Sequence, residues 1–440
     1  MKYPEFIYKS YKIEKIRQNI IISFHFYLTK EIQFHPQITI PKKDFKLQID
    51  LESDVIQNMV FNLGLIELIS YWKATCSPKI IIEAPGSLNT AQIKWWKKLY
   101  FKGLGEFFYQ NKIQNNVDDF VEIEIKNPKK FQKQNLQPTH KNLIPIGGGK
   151  DSIVTLETLV KTKSSNTPLI LNPREASLKT CFIAGYQQTN ILEIQRTIDP
   201  KLLDLNQKGF LNGHTPFSAL LAFTSLLCAA LFGYEYIVLS NEASANEATI
   251  PGTSINHQYS KSFEFEKDFK NYVANFIVDH IHYFSLLRRF NELQIAQKFS
   301  QLNKQYFTVF RSCNKGSKNG IWCCNCPKCL FVYIMFSAFL SPEELLHIFG
   351  NNLFENAKLL SVFQELIGAT TTKPFECVGT YAEINAALSI ILQKSAPTKA
   401  LPLLLKYYKK EHINLIKSKS AIKKELTYFN QENLIPNFFN

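Results

Sequence analysis

At 440 residues the chain is too long for one ordinary hydrophobic core, so two or three domains are expected. Hydrophobic residues at 45% and charged residues at 20% give the balance of a globular protein and exclude a disordered one. The net charge of +14 admits a nucleic-acid partner, but the lysines lie in short scattered runs with no Arg-rich stripe among aromatics, which argues against nucleic acid.

The opening residues, Met1 to Lys9, alternate charge with aromatics, so no signal peptide is expected. The longest apolar stretch, Phe217–Phe232, is shorter than the ~20 residues that span a bilayer. It ends at Gly233 and reads as a buried helix with a glycine stop. A cytoplasmic protein without membrane contact is expected.

Residues 1–125 mix patterns. Ile20–Leu28 and Phe45–Ile49 alternate like strands, and Asn89–Tyr100 reads as a helix stopping near Gly103 or Gly105. This predicts an N-terminal α+β domain, with substrate recognition as its expected role. The polar stretch Lys126–Pro138 reads as a linker. From 140 to 300 strands and helices alternate: strand Asn142–Ile146, helix Ser152–Lys161, strand Thr167–Leu171, helix Ala219–Phe232, strand Tyr236–Ser240. Such alternation predicts an α/β domain with a parallel sheet. Residues 301–440 read as a cysteine cluster followed by a mainly helical tail.

Gly147-Gly148-Gly149-Lys150-Asp151-Ser152 lies between a strand and a helix. The three glycines let backbone N–H groups approach an anion, and Ser152 reads as the helix N-cap, whose terminus favours negative charge. Lys150 would meet a phosphate as a point charge, and Asp151 makes sense beside phosphates if it holds Mg²⁺. The spacing excludes a Walker A loop and a dinucleotide fingerprint. The segment resembles the PP-loop of ATP pyrophosphatases, Ser-Gly-Gly-X-Asp-Ser, with Gly147 where the first Ser is usual. That implies ATP as substrate and a PP-loop (HUP-like) nucleotide-binding domain.

Four of the nine cysteines crowd together at Cys323, Cys324, Cys326 and Cys329. Clustered spacing and an odd total point to a metal site and not to disulfides. Cys313, Cys323, Cys326 and Cys329 would supply four thiolates for structural Zn²⁺, or for an iron–sulfur cluster, with Cys324 as a spare thiol. Cys76, Cys181, Cys228 and Cys377 read as core thiols. A related cysteine layout follows the PP-loop domain in the deazaguanine-nitrile synthases.

Three polar segments complete the candidate site. His214 in Asn212-Gly-His-Thr-Pro lies near the start of the apolar helix, where a neutral imidazole is favoured. Asn241 and Glu242 follow a strand, where ligands of open α/β sheets bind. His257 and Lys261, within Asn256–Glu266, are types suited to proton transfer and to holding an acidic substrate.

Taken in order, the loop, Asn212–Pro216, Ser240–Ala245, Asn256–Glu266, Cys326–Cys329, Lys373–Gly379 and, near the front, Gly103–Tyr109 resemble the ATP-dependent UDP-N-acetylmuramoyl-alanyl-glutamate epimerases of peptidoglycan synthesis. The resemblance runs from about Tyr71 to Gly379. It implies an enzyme that inverts the terminal L-Glu of UDP-MurNAc-L-Ala-L-Glu through an acyl-adenylate, consuming ATP with Mg²⁺. Gly147, Gly148, Gly149 and Ser152 would then cradle pyrophosphate, Lys150 neutralise it and Asp151 bind Mg²⁺. His257 would lead in proton transfer, followed by Glu242 and His214, and Lys261 would hold the glutamate or the UDP phosphates. Two other readings stay open: a tRNA-modifying or deazaguanine-nitrile-type PP-loop enzyme, and a zinc-containing binding module without catalysis.

Overall fold

A computed structural model describes residues 2–42, 44–316, 319–396 and 400–439. The strands are β1 (Glu5–Ile16), β2 (Asn19–Tyr27), β3 (Gln33–Phe34), β4 (Gln37–Pro41), β5 (Lys79–Ile82), β6 (Glu122–Ile125), β7 (Gln134–Asn135), β8 (Thr139–Pro145), β9 (Asn166–Leu171), β10 (Leu192–Thr197), β11 (Tyr234–Leu239), β12 (Val278–Asp279) and β13 (His282–Ser285). All but β7 and β12 join one mixed, mostly parallel sheet in the order β13-β11-β8-β9-β10-β4-β2-β1-β5-β6, with β3 beside β2. The protein is α/β, with helices covering this sheet.

Period-2 burial explains the N-terminal strands. In β2, Ile20, Ile22, Phe24 and Phe26 point inward and the residues between them do not. The antiparallel pairing of β4 with β10, Gln195 opposite Thr39, makes the sheet continuous between the first 125 residues and those that follow. The polar stretch after Ile125 carries β7, which pairs with β12. One expected strand is absent: Phe45–Ile49 is irregular. Its apolar side packs against the core, with Phe45 on Phe232 and the Gln48 N–H on the Leu231 carbonyl, so its alternation is met by a helix end and not by a strand.

The strands β10-β9-β8-β11-β13 are all parallel, and in chain order they read 3-2-1-4-5. The chain leaves β8 towards β9 on one side, and β11 flanks β8 on the other. The crevice outside the carboxyl ends of β8 and β11 is therefore the topological switch point, where open α/β sheets bind ligands. The glycine loop leaves β8 here and Ser240–Glu247 leaves β11.

Helix Phe217–Phe232 is apolar on nearly every face because it is sandwiched against helix Asp54–Trp72 and the sheet. It stops at Gly233, whose φ of 77° is left-handed. Among the described residues no helix is long and apolar enough to cross a membrane. Beyond residue 300 the chain is helical, and its core joins helices Glu292–Ser300, Pro327–Ser337 and Tyr381–Lys394.

Candidate active site

The glycine loop turns where Gly148 has φ of +80° and where an added Cβ would come within 2.7 Å of the Ser177 N–H nitrogen. Only glycine fits. At Gly147, by contrast, an added Cβ meets nothing within 4 Å. The helix begins at Lys150, with Gly149 in extended conformation as its N-cap. Ser152 is thus not the expected cap: the cap conformation falls on Gly149, and the Ser152 hydroxyl donates to the Gly149 carbonyl at 2.9 Å.

Lys150 is buried, at 1% exposure, and its ammonium donates to Asp151 Oδ1 at 2.5 Å and to the Glu292 carboxylate. Burial alone would favour neutral Lys150, but Asp151, Glu292 and Glu242 hold it charged and raise its pKa. Burial likewise pushes Asp151 up, and Lys150, Lys328 and Lys261 outweigh it and hold the carboxylate ionised. Burial pushes Glu292 above the usual carboxylate range, against the pull of Lys150, with Asp151 and Glu242 adding to the rise.

Glu242 is buried, and its charge acts on both Lys150 and Lys261. Arg288, fully buried, braces this wall. Its guanidinium donates to the Glu242 carbonyl, to the Lys261 carbonyl at 2.5 Å and to the Glu266 carboxylate at 2.8 Å. Glu266 therefore serves the frame, and Glu264 pairs at the surface with Lys98 and Lys102. Asn241 contributes its carbonyl, which accepts from the Ser285 hydroxyl at 2.5 Å.

Opposite lies a proton-active cluster. His257 Nδ1 is hydrogen-bonded to the Glu106 carboxylate, His214 Nδ1 lies 3.6 Å from the same oxygen, and the two rings are 4.5 Å apart. Burial lowers His257, but hydrogen bonds to Cys377 and Glu106 outweigh it and raise its pKa to about 9. His214 is lowered to about 3 by burial and by the charges of His257, Lys73 and Lys261. Its neutrality thus comes from burial and neighbouring cations; the helix starts only at Phe217. The carboxylate and both rings come within 4.8 Å of one another. Glu106 and His257 are hydrogen-bonded partners, and His214 packs beside them without a hydrogen bond to the carboxylate.

Cys377 is not the core thiol that the sequence suggested. Its Sγ accepts from Lys261 Nζ at 3.2 Å, and the Lys328 ammonium donates to its carbonyl. It belongs to none of the hydrophobic clusters. Cys181 and Cys228 are core residues as expected, and Cys76 packs half-buried against the first cluster. Glu106, Glu292, Lys328 and Cys377 are the residues that the sequence reading passed over. Glu106 and Cys377 do sit inside segments whose order carried the resemblance.

The four expected thiols of Cys313, Cys323, Cys326 and Cys329 converge within 4.8 Å. Their sulfurs are 3.9 Å apart for Cys313–Cys326, 3.7 Å for Cys323–Cys329 and 3.4 Å for Cys326–Cys329. A tetrahedral ion with sulfur bonds of about 2.3 Å has edges of about 3.8 Å, so the donor set fits Zn²⁺. Cys324 stands apart, its thiol directed to the Phe349 carbonyl at 3.2 Å. The cluster abuts the site at both ends: Ser312, before Cys313, lies against Gly149, and Lys328 sits between Cys326 and Cys329.

A cavity of about 500 Å³ adjoins the proton-active cluster. Phe101, Lys102, Tyr109, Lys112 and Ile255 line it. Helix Gly105–Gln110 separates the two, lending Tyr109 to the cavity and Glu106 to His257. The Tyr109 ring also packs 5.5 Å from Phe375, two residues before Cys377.

Residues 1–286 match the MurL N-terminal domain and residues 309–420 the MurL C-terminal domain. A UDP-N-acetyl-alpha-D-muramoyl-L-alanyl-L-glutamate epimerase of a Micromonospora species is 34% identical over 341 residues, 76% of this chain and 74% of that protein. Proteins of the same name from Xanthomonas oryzae pv. oryzae and Salinispora tropica are 32% and 33% identical, covering 81% and 76% of this chain and 79% and 73% of their own lengths. No solved structure matches the chain significantly. With both domains matched in order and identity above 30% across three quarters of its length, the chain belongs to the MurL family.

Proposed function

We propose that this protein inverts the terminal L-Glu of UDP-MurNAc-L-Ala-L-Glu to D-Glu, activating its carboxylate with ATP. The observation that carries the reading is the meeting of a tight glycine loop and a cluster of titratable side chains at one switch-point crevice, in a chain related to epimerases of that name.

The α-proton beside an ionised carboxylate is very weakly acidic, because its removal adds charge to charge. Joining the carboxylate to AMP removes that anion and leaves an electron-withdrawing acyl group. The backbone N–H groups of Gly147, Gly148 and Gly149 and the helix that follows favour the departing pyrophosphate, with Ser152 fixing the first turn. Asp151, held ionised, would bind Mg²⁺, which neutralises phosphate charge. Lys150, with Glu292, holds Asp151 in place.

Inversion then needs a proton taken from one face and one returned to the other. His257, charged at neutral pH, is fitted to give a proton; neutral His214 packs against its ring, and Glu242 stands by Lys261. Lys261, with its fixed positive charge, suits the glutamate's remaining carboxylate. The cavity beside Tyr109 and Lys112 suits the nucleotide-sugar end, with an aromatic face for the base and lysines for the diphosphate.

Incubation with UDP-MurNAc-L-Ala-L-Glu, ATP and Mg²⁺ in deuterated water tests this. D-Glu carrying α-deuterium, with AMP and pyrophosphate formed, is the expected result. No inversion by folded, zinc-loaded protein would overturn it.

A further inference from the structure

In the proposed site the base is still to be named. His257 carries its proton at neutral pH, and His214 is too weakly basic to take one. Glu106 is engaged in orienting the His257 ring, so the acceptor is sought in another anion beside that ring. The segment Lys373–Gly379 brings one there. It is tied by the Lys373 ammonium, which donates to the Gly379 carbonyl at 2.8 Å and to Glu247. At its middle, Cys377 Sγ accepts from Lys261 Nζ at 3.2 Å, and its charge helps to raise the His257 pKa.

The cations facing Cys377 come from two elements. Lys261 and His257 belong to the loop before helix Phe263–Phe276, and Lys328 belongs to helix Pro327–Ser337. The neighbouring Glu376 is engaged by Asn314, and Asp151 and Glu242 act on the far side of Lys261. Burial pushes the thiol up, but the three cations prevail and lower it to about 6. The core thiols lack such partners: burial pushes Cys76 and Cys181 up to about 12.

We propose that Cys377 is a catalytic residue, its thiolate removing the α-proton of the activated glutamyl group while His257 returns a proton to the opposite face. This rests on the epimerase reading above. The α C–H bond breaks as an S–H bond forms, and the electron pair moves into the acyl carbonyl as an enolate. A His257 N–H bond then breaks as the new C–H bond forms, leaving a neutral ring. The Cys377 thiol proton passes to that ring, and the thiolate–imidazolium pair is restored without net gain or loss of protons. Delivery to the opposite face places the α-carbon between sulfur and ring.

The test compares the full chain with Cys377→Ala and Cys377→Ser in deuterated water with UDP-MurNAc-L-Ala-L-Glu, ATP and Mg²⁺. Deuterium uptake at the α-carbon should fall at least ~100-fold while AMP formation stays within a few-fold. Undiminished uptake in Cys377→Ala overturns the proposal. Wild-type uptake without AMP would remove the adenylation step alone, and Cys377 would still stand or fall by the variants' uptake. A wild type that neither inverts nor exchanges removes the epimerase reading and this proposal together. Should the variants fail to fold, peptide-resolved alkylation of the wild type by iodoacetamide decides. A Cys377 midpoint near pH 6, raised by at least about one unit in His257→Gln, supports the ion pair. A midpoint in the ordinary thiol range overturns it.

Discussion

Glu292, at the start of a helix, closes an ion pair on Lys150, the first residue of the helix that follows the glycine loop. Neither side chain exceeds 1% exposure. Glu292→Ala leaves Lys150 with Asp151 as its remaining partner, so it should lower stability by about 1–3 kcal/mol in thermal or urea unfolding, and pyrophosphate release should fall with it. Lys150→Met takes the cation from both Asp151 and Glu292 and should cost more, about 3–5 kcal/mol, with pyrophosphate release lost.

The glycine loop makes opposite predictions at adjacent positions. Gly148→Ala forces a Cβ onto the Ser177 backbone at a left-handed φ and should reduce pyrophosphate release by ~100-fold or more. Gly147→Ser enters open space and should keep full turnover, with an unchanged or lower KM for ATP. Asp151→Asn should abolish pyrophosphate release in steady-state assays. Retained turnover would remove its metal role.

Activity should depend on pH through the Cys377–His257 pair. The thiol is lowered from 9.0 to about 6, so its ionic contribution is present at high pH and is lost as pH falls through about 6. The imidazole is raised from 6.5 to about 9, so its contribution is present at low pH and is lost as pH rises through about 9. Both are charged only between these limits. A bell-shaped profile of kcat/KM with limbs near 6 and 9 is expected, the two values belonging to the pair as a unit.

The cysteine cluster should carry one zinc per chain by metal analysis. Cys326→Ser should lose it and melt at lower temperature, since binding energy of a structural ion is folding energy. Because the cluster adjoins Gly149 and Lys328, pyrophosphate release should fall before global unfolding as zinc is chelated.

Tyr109→Ala and Lys112→Ala probe the adjoining cavity. Loss of binding made equally in ground and transition states raises KM and leaves kcat alone. KM for the UDP-linked substrate should rise about ten-fold, with KM for ATP unchanged.

Much of this was legible in the sequence where chemistry is written locally. Gly147–Ser152 announces itself through backbone demands, and the cysteines through spacing. Helix Phe217–Phe232 and its stop at Gly233 follow from composition. Cys377 was not legible, because Phe375 and Val378 give it the surroundings of a core thiol while Lys261 and His257 stand far upstream. Glu292 looks like an ordinary first-turn acid after the Asn291 cap, and only the packing of two distant helices turns it onto Lys150. Phe45–Ile49 failed for the converse reason: alternation says which face is buried, not what buries it.

The guanidinium of Arg288 spans two segments that are 19 residues apart in the chain, at Glu242 and Lys261. It anchors the backbone at Glu242 and at Lys261 with donors set in one rigid plane. The segment that leaves β11 and the segment that carries His257 and Lys261 are therefore spaced by a single side chain. A lysine in its place would offer one point charge for two carbonyls, so the width of the crevice is written into the fork of one guanidinium.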